Sequence, residues 1–315
     1  MKKYIVTGGA GFIGSHIVDA LIDRGDSVAI IDNLSGGTEE INPKAEMYPV
    51  DIRHLDNIDA AFKDVEGIFH LAAMARVQPS IEDPELFHDV NVNGTFALLK
   101  KCVDHKIPNF VFSSSSSVYG EPETIRSRKM KTSRCLPMVE TMLPNPLSPY
   151  ACNKLIGENY CQTFSSVYGV NTVSLRYFNV YGDRMPLDGQ YRLVSGIFAK
   201  QLLNDEPLTI TNDGNQRRDF TYVRDVVRAN LLAEENAEKC KGEVFNVGNG
   251  DNRSVLEIAA LFQSPHALKF VGSVLEPKET LADNSKIRNE LGWKPTMAVE
   301  DFYPGWIGNL QHDHE

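Results

Sequence analysis

The sequence predicts an α/β protein built on a doubly wound parallel sheet, with a smaller α/β lobe formed by its second half. Short apolar runs alternate with helical periodicities from the first residues, as in repeated βαβ units. A glycine-rich turn directly follows the first run and opens the first helix. The length of 315 residues exceeds that of a usual single domain and leaves room for the lobe.

The apolar runs have the length and composition of strands that are buried on both faces. The predicted strands are Tyr4–Val6, Ser27–Ile31, Met47–Val50, Gly67–Leu71, Phe110–Phe112 and Thr172–Arg176. The predicted helices are Ile13–Arg24, Ile58–Phe62, Pro84–Asp104 and Tyr150–Val167. The serine run 113–117 has strand-like flanks, so we expect it to be ordered rather than a linker. We assign residues 1–178 to a first domain and 179–315 mainly to the lobe, with some segments returning to the first domain.

Composition and charge exclude several classes of protein. Hydrophobic residues make up 42% and charged residues 23%, as in ordinary folded domains, and the net charge of −10 disfavours nucleic acid or an anionic membrane as partner. The five cysteines form no CxxC pair, so we expect neither a disulfide framework nor a metal site. The polar tail Gln311–Glu315 is expected to fray. No apolar run resembles a signal peptide or a membrane span, which predicts a cytoplasmic protein.

The first turn has the pattern of a dinucleotide site. Gly8, Gly11 and Gly14 stand where a tight turn, a close pyrophosphate approach and helix–sheet contact leave no room for side chains. The second predicted strand ends before Asp32, whose carboxylate would accept hydrogen bonds from an adenosine ribose and repel a 2′-phosphate. We therefore expect NAD rather than NADP as cofactor. The alternative is a glycine-rich turn with a capping Asp.

The GxxGxxG spacing and further motifs resemble the extended short-chain dehydrogenase/reductase superfamily, and within it the UDP-glucose and UDP-N-acetylglucosamine 4-epimerases. The motifs span nearly the whole chain: TGGAGFIG at 7–14, DNLSGG at 32–37, HLAAMA at 70–75, SSSVYG at 115–120, YACNK at 150–154, RYFNVYG at 176–182, RRDFTYVRDV at 217–226, FNVGNG at 245–250 and ELGWKP at 290–295. The resemblance implies a Rossmann-like first domain.

The resemblance also implies positions for the cofactor contacts. The pyrophosphate would be covered by Phe12 and Ile13, and the adenine by Asp51 and Ile52. The adenosine ribose would meet the segment Asp32, Asn33, Leu34, Ser35 and Gly36. The central part of the cofactor would lie against Leu71, Ala72, Ala73 and Ala75, and Phe178 would lie near the nicotinamide. The alternative for the apolar members is packing at the sheet edge.

Three residues form a candidate catalytic group. Tyr150 and Lys154 are four apart and so share one face of a predicted helix, and Ser115 ends a strand at the edge where parallel sheets bind ligands. The Lys154 ammonium and an oxidised nicotinamide are expected to lower the pKa of Tyr150 from about 10 toward neutrality, as a general base requires. Ser115 would orient the substrate oxygen or shuttle its proton. Alone, the Tyr-Lys pair arises by chance and Ser115 is an ordinary strand-end serine.

The resemblance implies oxidation of a sugar at C4, rotation of the keto-sugar and its reduction on the opposite face. Similar dehydratases and decarboxylases carry acidic residues where this chain has Ser116 and Ser117, which argues against both. Ser117 is either a substrate contact or a partner of backbone groups. The remaining alternatives are an epimerase acting on another nucleotide sugar such as UDP-glucuronate, a nucleotide-sugar dehydrogenase or reductase, and a non-catalytic NAD-sensing protein.

The same resemblance assigns the sugar nucleotide to the second half. Asn179 would contact the diphosphate or uridine, and Arg218 would grip the diphosphate, a task suited to a guanidinium. Their alternatives are a turn-forming Asn and a surface pair of Arg218 with Asp219. Base recognition is expected near Val194 and Ile210. The small side chain of Thr280 predicts room for a sugar N-acetyl group.

Two departures and one assembly expectation remain. The stretch Leu275–Thr280 lacks the second phosphate-binding arginine of similar enzymes. An insertion at 125–135 carries five cations, namely Arg126, Arg128, Lys129, Lys131 and Arg134. It is either a basic flap that replaces the lost phosphate contact or a solvated disordered segment. The helices 84–104 and 150–167 are those that similar enzymes pair across a dimer, so a homodimer is expected.

Overall fold

The computed structural model describes residues 1–36, 41–121, 124–126, 133–188, 193–273 and 277–314. Of residues 124–126, 133–134 and 313–314 it describes the backbone alone.

The centre of the molecule is a seven-stranded sheet in which all neighbours run parallel. The strands are β1 Lys3–Thr7, β2 Ser27–Ile31, β3 Glu46–Tyr48, β4 Gly67–His70, β5 Asn109–Ser115, β6 Thr124–Arg126, β7 Ser133–Cys135, β8 Asn171–Tyr177, β9 Val180–Tyr181, β10 Thr209–Ile210, β11 Arg217–Asp219, β12 Thr221–Tyr222, β13 Glu243–Val247, β14 Asn252–Ser254 and β15 Lys269–Phe270. The order in the large sheet is β13-β8-β5-β4-β1-β2-β3. Its register brings Thr7, Ile31 and His70 to one level at the carboxyl ends of β1, β2 and β4. The predicted α/β class and parallel sheet are confirmed.

The helices follow the strands as the periodicity predicts, with two differences. In place of the predicted helix Ile58–Phe62 there is a 3₁₀ turn, Asp59–Phe62. The helices are α1 Phe12–Asp23, α2 Val77–Glu82, α3 Pro84–His88, α4 Thr95–His105, α5 Pro149–Tyr168, α6 Val194–Leu203, α7 Val223–Glu235, α8 Val255–Leu261, α9 Ser285–Leu291 and α10 Val299–His314, with 3₁₀ turns at Asp59–Phe62 and Ser116–Tyr119. The predicted helix Pro84–Asp104 is interrupted by a π-helical turn, Asp89–Gly94. At this turn a Cβ on Gly94 would lie 2.6 Å from Ile52. The glycine therefore allows the close approach.

Helices cover both faces of the sheet, because its strands are apolar on both sides. On one face Tyr4 and Val6 of β1 pack in a core with Ile17 of α1 and Val226 of α7. On the other face Ile5 packs in a core with Leu98 of α4. The alternation along β1 is the two-residue period of a strand. These two layers are the doubly wound arrangement.

The second half of the chain contributes to the sheet and also builds a region beyond it. Strand β13 pairs with β8 and completes the large sheet. The pairs β10–β15, β11–β14 and β9–β12 form small two-stranded sheets. Helix α10 continues to His314, so the polar tail is helical as far as the description reaches. Within the described ranges, none of the helices has the length and hydropathy needed to cross a membrane.

Candidate active site at the carboxyl edge of the sheet

The glycine turn after β1 makes a cradle that side chains would fill. Gly8 has a φ of +70°, and a Cβ there would lie 2.6 Å from the Ala72 nitrogen. A Cβ on Gly14 would lie 2.0 Å from the Gly8 carbonyl oxygen. Gly11 caps α1 without a side-chain hydrogen bond, so the first-turn N–H groups of Phe12 and Ile13 can face an anion. This cradle fits the pyrophosphate of a dinucleotide.

Asp32 follows β2 and supports the turn from the next strand. Its Oδ2 accepts from the Ala10 nitrogen at 3.0 Å and its Oδ1 from the Leu34 nitrogen at 2.8 Å. Asn33 accepts from the Ser35 nitrogen and hydroxyl and donates to Asp51. The carboxylate of Asp32 lies level with the glycine cradle, as expected for a ribose contact. Gly36 is exposed at the end of this described segment.

The predicted adenine pair is held by local contacts. Hydrogen bonds from Arg53 lower the pKa of Asp51 to about 2, so this carboxylate stays ionised. Ile52 is 3% exposed and lies against Gly94 in the π-helical turn. The glycine cradle, Asp32 and this pair therefore line neighbouring strand ends.

The structure brings Ser115, Ser117 and Tyr150 together in a directional hydrogen-bond chain. Ser148 caps α5 by accepting from the Ala151 nitrogen, and Pro149 fills the first helical position, so Tyr150 lies in the first turn of the helix. The Ser117 hydroxyl donates to Ser115 at 2.9 Å. A hydrogen bond from Ser115 to Tyr150 favours the phenolate. The interpretation that Ser117 only satisfies backbone groups does not account for this bond, because the Ser117 hydroxyl donates to the side chain of Ser115.

Lys154 is buried on the same face of α5. Its Nζ donates to the Ser113 carbonyl at 2.7 Å and lies 5.9 Å from the centre of the Tyr150 ring. Burial lowers the pKa of Lys154 to about 8, against the opposing charge of Glu158 one turn further along. The ammonium is therefore oriented by β5 and loses its proton just above neutrality.

The acidity of Tyr150 differs from the prediction. Burial raises the pKa of Tyr150 in the chain itself, and the groups that oppose this rise are Ser115 and the Arg76 guanidinium. Lys154 donates to the Ser113 carbonyl, and its predicted effect on the pKa of Tyr150 stays a prediction. The positive nicotinamide, the second cause predicted, would act in the same direction as Arg76 when NAD is bound. Arg76 is the residue that sequence reasoning missed; its signal was an arginine directly after the HLAAMA motif.

The loop after β4 lies against the glycine cradle, where a Cβ on Gly8 would meet the Ala72 nitrogen. Leu71, Ala72, Ala73 and Ala75 are all half-buried at the carboxyl edge. The Ala72 nitrogen donates to the Thr7 hydroxyl, which ties this loop to β1. Phe178 is fully buried beside Tyr119 and Ala282. The loop follows β4 and Phe178 follows β8, and these two strands flank β5, which ends at Ser115.

A buried carboxylate organises the predicted sugar-nucleotide residues. Asp219 is 0% exposed, and its oxygens accept from the backbone nitrogens of Asn249, Gly250 and Ala282 at 2.7, 2.9 and 3.0 Å. Burial raises its pKa to about 7 against these three donors. Since Asp219 is fully buried, the alternative of a surface pair with Arg218 is wrong. Sequence reasoning missed this organising role, which depends on contacts between distant segments.

Asn179 and Thr280 both contact the main chain of Asp219. The Asn179 side chain donates to the Asp219 carbonyl at 3.0 Å, and the Thr280 hydroxyl accepts from the Asp219 nitrogen at 3.3 Å. Arg218 is half-buried next to them and donates to the Arg217 carbonyl. The structure thus gathers three of the five predicted substrate residues of the second half.

The other two, Val194 and Ile210, lie at the start of α6 and in β10. Val194 is half-buried, and Ile210 is fully buried with its carbonyl accepting from Val271 at 2.8 Å. Residues 274–276, where the second arginine is lacking, are outside the described residues. Strands β6 and β7 pair antiparallel in the insertion, and both interpretations of the insertion stay predictions. Arg128, Lys129 and Lys131 are outside the description, as are the side chains of Arg126 and Arg134.

Comparison with known proteins supplies relatives over the full length. The profile of the NAD dependent epimerase/dehydratase family matches residues 4–248. The chain is similar to a putative UDP-glucose 4-epimerase of Methanocaldococcus jannaschii, with 40% identity over 306 residues that cover 94% of each chain.

Two solved structures share the whole fold. The UDP-glucose 4-epimerase of Thermotoga maritima, solved with UDP-glucose, has 34% identity and a TM-score of 0.90, with 99% of this chain and 100% of that chain covered. The UDP-N-acetylglucosamine 4-epimerase of Methanobrevibacter ruminantium M1, solved with UDP-N-acetylmuramic acid, has 35% identity and a TM-score of 0.84, with 99% and 97% covered.

Proposed function

The chain belongs to the NAD-dependent epimerase/dehydratase family, and we propose that it is a UDP-hexose 4-epimerase that interconverts UDP-glucose and UDP-galactose and also accepts UDP-N-acetylhexosamines. The observation that carries the proposal is the half-buried Ser117–Ser115–Tyr150 chain at the sheet edge, next to the glycine cradle. Both structural relatives above are UDP-sugar 4-epimerases.

NAD, when bound, supplies a reversible hydride acceptor for the C4 position of the sugar. Tyr150 is the residue that removes the C4 hydroxyl proton and returns it at the end of the cycle. Ser115 orients that hydroxyl, because its own hydrogen-bond direction is set by Ser117. Arg76 stabilises the phenolate form of Tyr150 by its charge. Lys154 would hold its ammonium beside Tyr150 and the cofactor, and it keeps its orientation through the Ser113 carbonyl.

The cofactor would lie along the strand ends already described. The pyrophosphate would rest on Gly8, Gly11 and the first turn of α1, and the adenosine ribose on Asp32. The remaining predicted contacts keep the positions given above. This assignment is supported by the lack of space for any Cβ at Gly8 and Gly14.

The sugar nucleotide would lie between this site and the second half. Arg218 would bind the diphosphate, and Asn179 would contact the diphosphate or uridine. The Asp219 carbonyl holds the Asn179 side chain, and the Arg217 carbonyl holds that of Arg218. Thr280 is a small buried residue here, which supports room for an N-acetyl group. UDP-glucuronate remains the alternative substrate, because it differs from UDP-glucose only in the carboxylate at C6 and has the same hydroxyl at C4.

We also propose a homodimer through α4 and α5. Phe96, Tyr160, Phe164 and Tyr168 form one aromatic cluster on these helices, with ring centroids 4.8 to 5.8 Å apart for successive contacts. Phe96 and Tyr168 remain 42% and 56% exposed, and Val167 beside them is 65% exposed. An exposed apolar patch of this kind is typical of an interface. The cytoplasmic location expected from the sequence stays a prediction.

The test is proton NMR of the anomeric region with purified protein and no added NAD, incubated separately with UDP-glucose, UDP-N-acetylglucosamine and UDP-glucuronate. We expect galacto signals in the first two tubes. Tyr150→Phe should abolish turnover, while Cys152→Ser, an exposed change on the same helix, should leave it unchanged.

The outcomes separate the alternatives. Signal in the third tube alone would favour the glucuronate epimerase. Turnover that requires a stoichiometric supply of NAD would favour a dehydrogenase. No change in any tube, with NAD supplied, would refute epimerisation of these three substrates.

A further inference from the structure

A buried histidine lies directly before the loop that lies against the glycine cradle. His70 ends β4 and is 2% exposed. Its Nδ1 lies 2.7 Å from the Thr7 hydroxyl of β1, and its Nε2 lies 2.8 Å from the Thr95 hydroxyl of α4. The imidazole therefore bridges the first strand of the sheet and the helix that packs on it.

The protons in this bridge can be placed by counting donors. The Thr95 hydroxyl donates its single proton to the Asn91 carbonyl at 2.6 Å, so it can only accept from His70. Nε2 therefore carries a hydrogen. Nδ1 must then accept from Thr7, whose oxygen in turn accepts from the Ala72 nitrogen at 3.2 Å. One neutral tautomer satisfies every group along the path.

Asn91, at the other end of this series of hydrogen bonds, holds the loop after β4 at a second point. Asn91, 3% exposed in the π-helical turn, accepts from the Met74 nitrogen and donates to the Met74 carbonyl, both at 2.8 Å. The loop 71–76 is thus held at Ala72 through β1 and at Met74 through the helix. A π-turn inside a helix is often associated with a functional site.

The end of the loop needs such support. Arg76 has a φ of +94°, a conformation that non-glycine residues adopt only when their surroundings impose it. It precedes α2, and its guanidinium favours the phenolate form of Tyr150. The path of the loop therefore decides where this charge lies relative to the tyrosine.

We propose that Thr7, His70, Thr95 and Asn91 are positioning residues, whose single hydrogen-bond chain sets the path of loop 71–76 and thereby both the cofactor-facing backbone and the place of Arg76 beside Tyr150. The inference rests on the proposed function for the roles of the loop and of Tyr150. It adds a set of residues that touch neither substrate nor the reacting atoms.

The surroundings of the two titratable rings define the pH behaviour. His70 is flanked by the Phe110 and Phe112 rings, and burial, followed by the Lys154 charge, lowers its pKa to about 3. It therefore stays neutral wherever the enzyme would be assayed. Tyr150 faces Ser115 from β5, Arg76 from the loop and Lys154 from its own helix. A displaced loop would remove the Arg76 effect and raise the pKa of Tyr150.

The first experiment needs no variant. Nitrogen-15 NMR of the histidine rings in the wild-type protein with its NAD, with His70→Gln used for assignment, should show one neutral Nε2–H tautomer between about pH 5 and pH 8. Titration of His70 in this range, or an Nδ1–H tautomer, would overturn the proposal.

The second experiment compares Thr95→Val with Thr95→Ser. The valine keeps the shape but removes the hydroxyl. We therefore expect about tenfold weaker NAD binding, measured by calorimetry on protein from which the bound NAD has been removed, and a shift of the acidic limb of kcat/KM to higher pH. The serine should match the wild type in both. Wild-type values for valine in both measurements would overturn the proposal. If wild-type protein binds NAD but epimerises no sugar, the proposed function fails. The His70 tautomer and the NAD affinity of Thr95→Val would still test the positioning role.

Discussion

The buried ion pair behind the catalytic helix allows one prediction to be worked through. Glu158 lies one turn after Lys154, and its side chain and that of Arg176 are 3% and 4% exposed. Oε1 accepts from Arg176 Nε at 2.8 Å and from the Ser114 hydroxyl, and Oε2 accepts from Nη2 at 2.7 Å. The guanidinium also lies 4.6 Å from the centre of the Tyr119 ring. Glu158→Gln keeps the size of this side chain and removes its charge.

The glutamine can supply only one of the two oxygens, so its amide group would face an Arg176 N–H and leave the guanidinium uncompensated. Breaking a buried pair in this way costs about 3–5 kcal/mol. With an unfolding entropy of about 2.1 cal/mol/K per residue, 315 residues give roughly 0.66 kcal/mol/K. The expected fall in Tm is therefore about 5–8 °C. The variant also loses the charge that supports the ammonium, so the pKa of Lys154 should fall further.

Differential scanning calorimetry of Glu158→Gln beside the wild type measures the fall in Tm. The matched control is the double variant Glu158→Leu with Arg176→Met, which removes both charges and should recover most of the loss, because no unpaired charge stays buried. A Tm for Glu158→Gln within about 1 °C of the wild type would refute the reasoning. So would a double variant less stable than the single one.

Three further predictions follow from the site and the patch. Gly14→Ala should yield protein that retains no NAD after purification, because the new Cβ would lie 2.0 Å from the Gly8 carbonyl oxygen. The absorbance of the nucleotide released from the protein measures this loss. The control is Gly305→Ala, which has open space around it. The kcat should fall as pH rises through about 8, where the Lys154 ammonium loses its proton, and Lys154→Arg should move this fall to higher pH; a pH-independent kcat would contradict it. Phe96→Asp should give a monomer in sedimentation velocity, and an unchanged dimer would exclude the α4–α5 interface.

The order of strands along the chain, the glycine cradle and the Tyr150–Lys154 helix face could be predicted from the sequence. Each depends on residues within one turn or one strand of each other, where periodicity and backbone sterics act directly. The Ser115 position was also predictable, because β5 is apolar up to the serine run and ends at its third serine. Short-range patterns thus located the reactive edge.

The parts that the sequence did not reveal join segments far apart in the chain. The Arg76 charge beside Tyr150, the path from His70 through Thr95, and the three amides around Asp219 depend on how the layers pack. No periodicity encodes such contacts, since each partner alone has an ordinary local context. The π-turn at Asp89–Gly94 is of the same kind, because the approach of Gly94 to Ile52 forms only in the packed protein.

Sequence by itself therefore determined the fold class, the glycine turn of the cofactor cradle and the shared helix face of Tyr150 and Lys154, all of which are properties of local spacing. Tertiary structure alone decided which charge acts on Tyr150 and which buried groups hold the loops in place. The physical reason is that pKa values and loop paths are set by burial and by neighbours brought from distant positions, and both exist only once the helices have packed on the sheet.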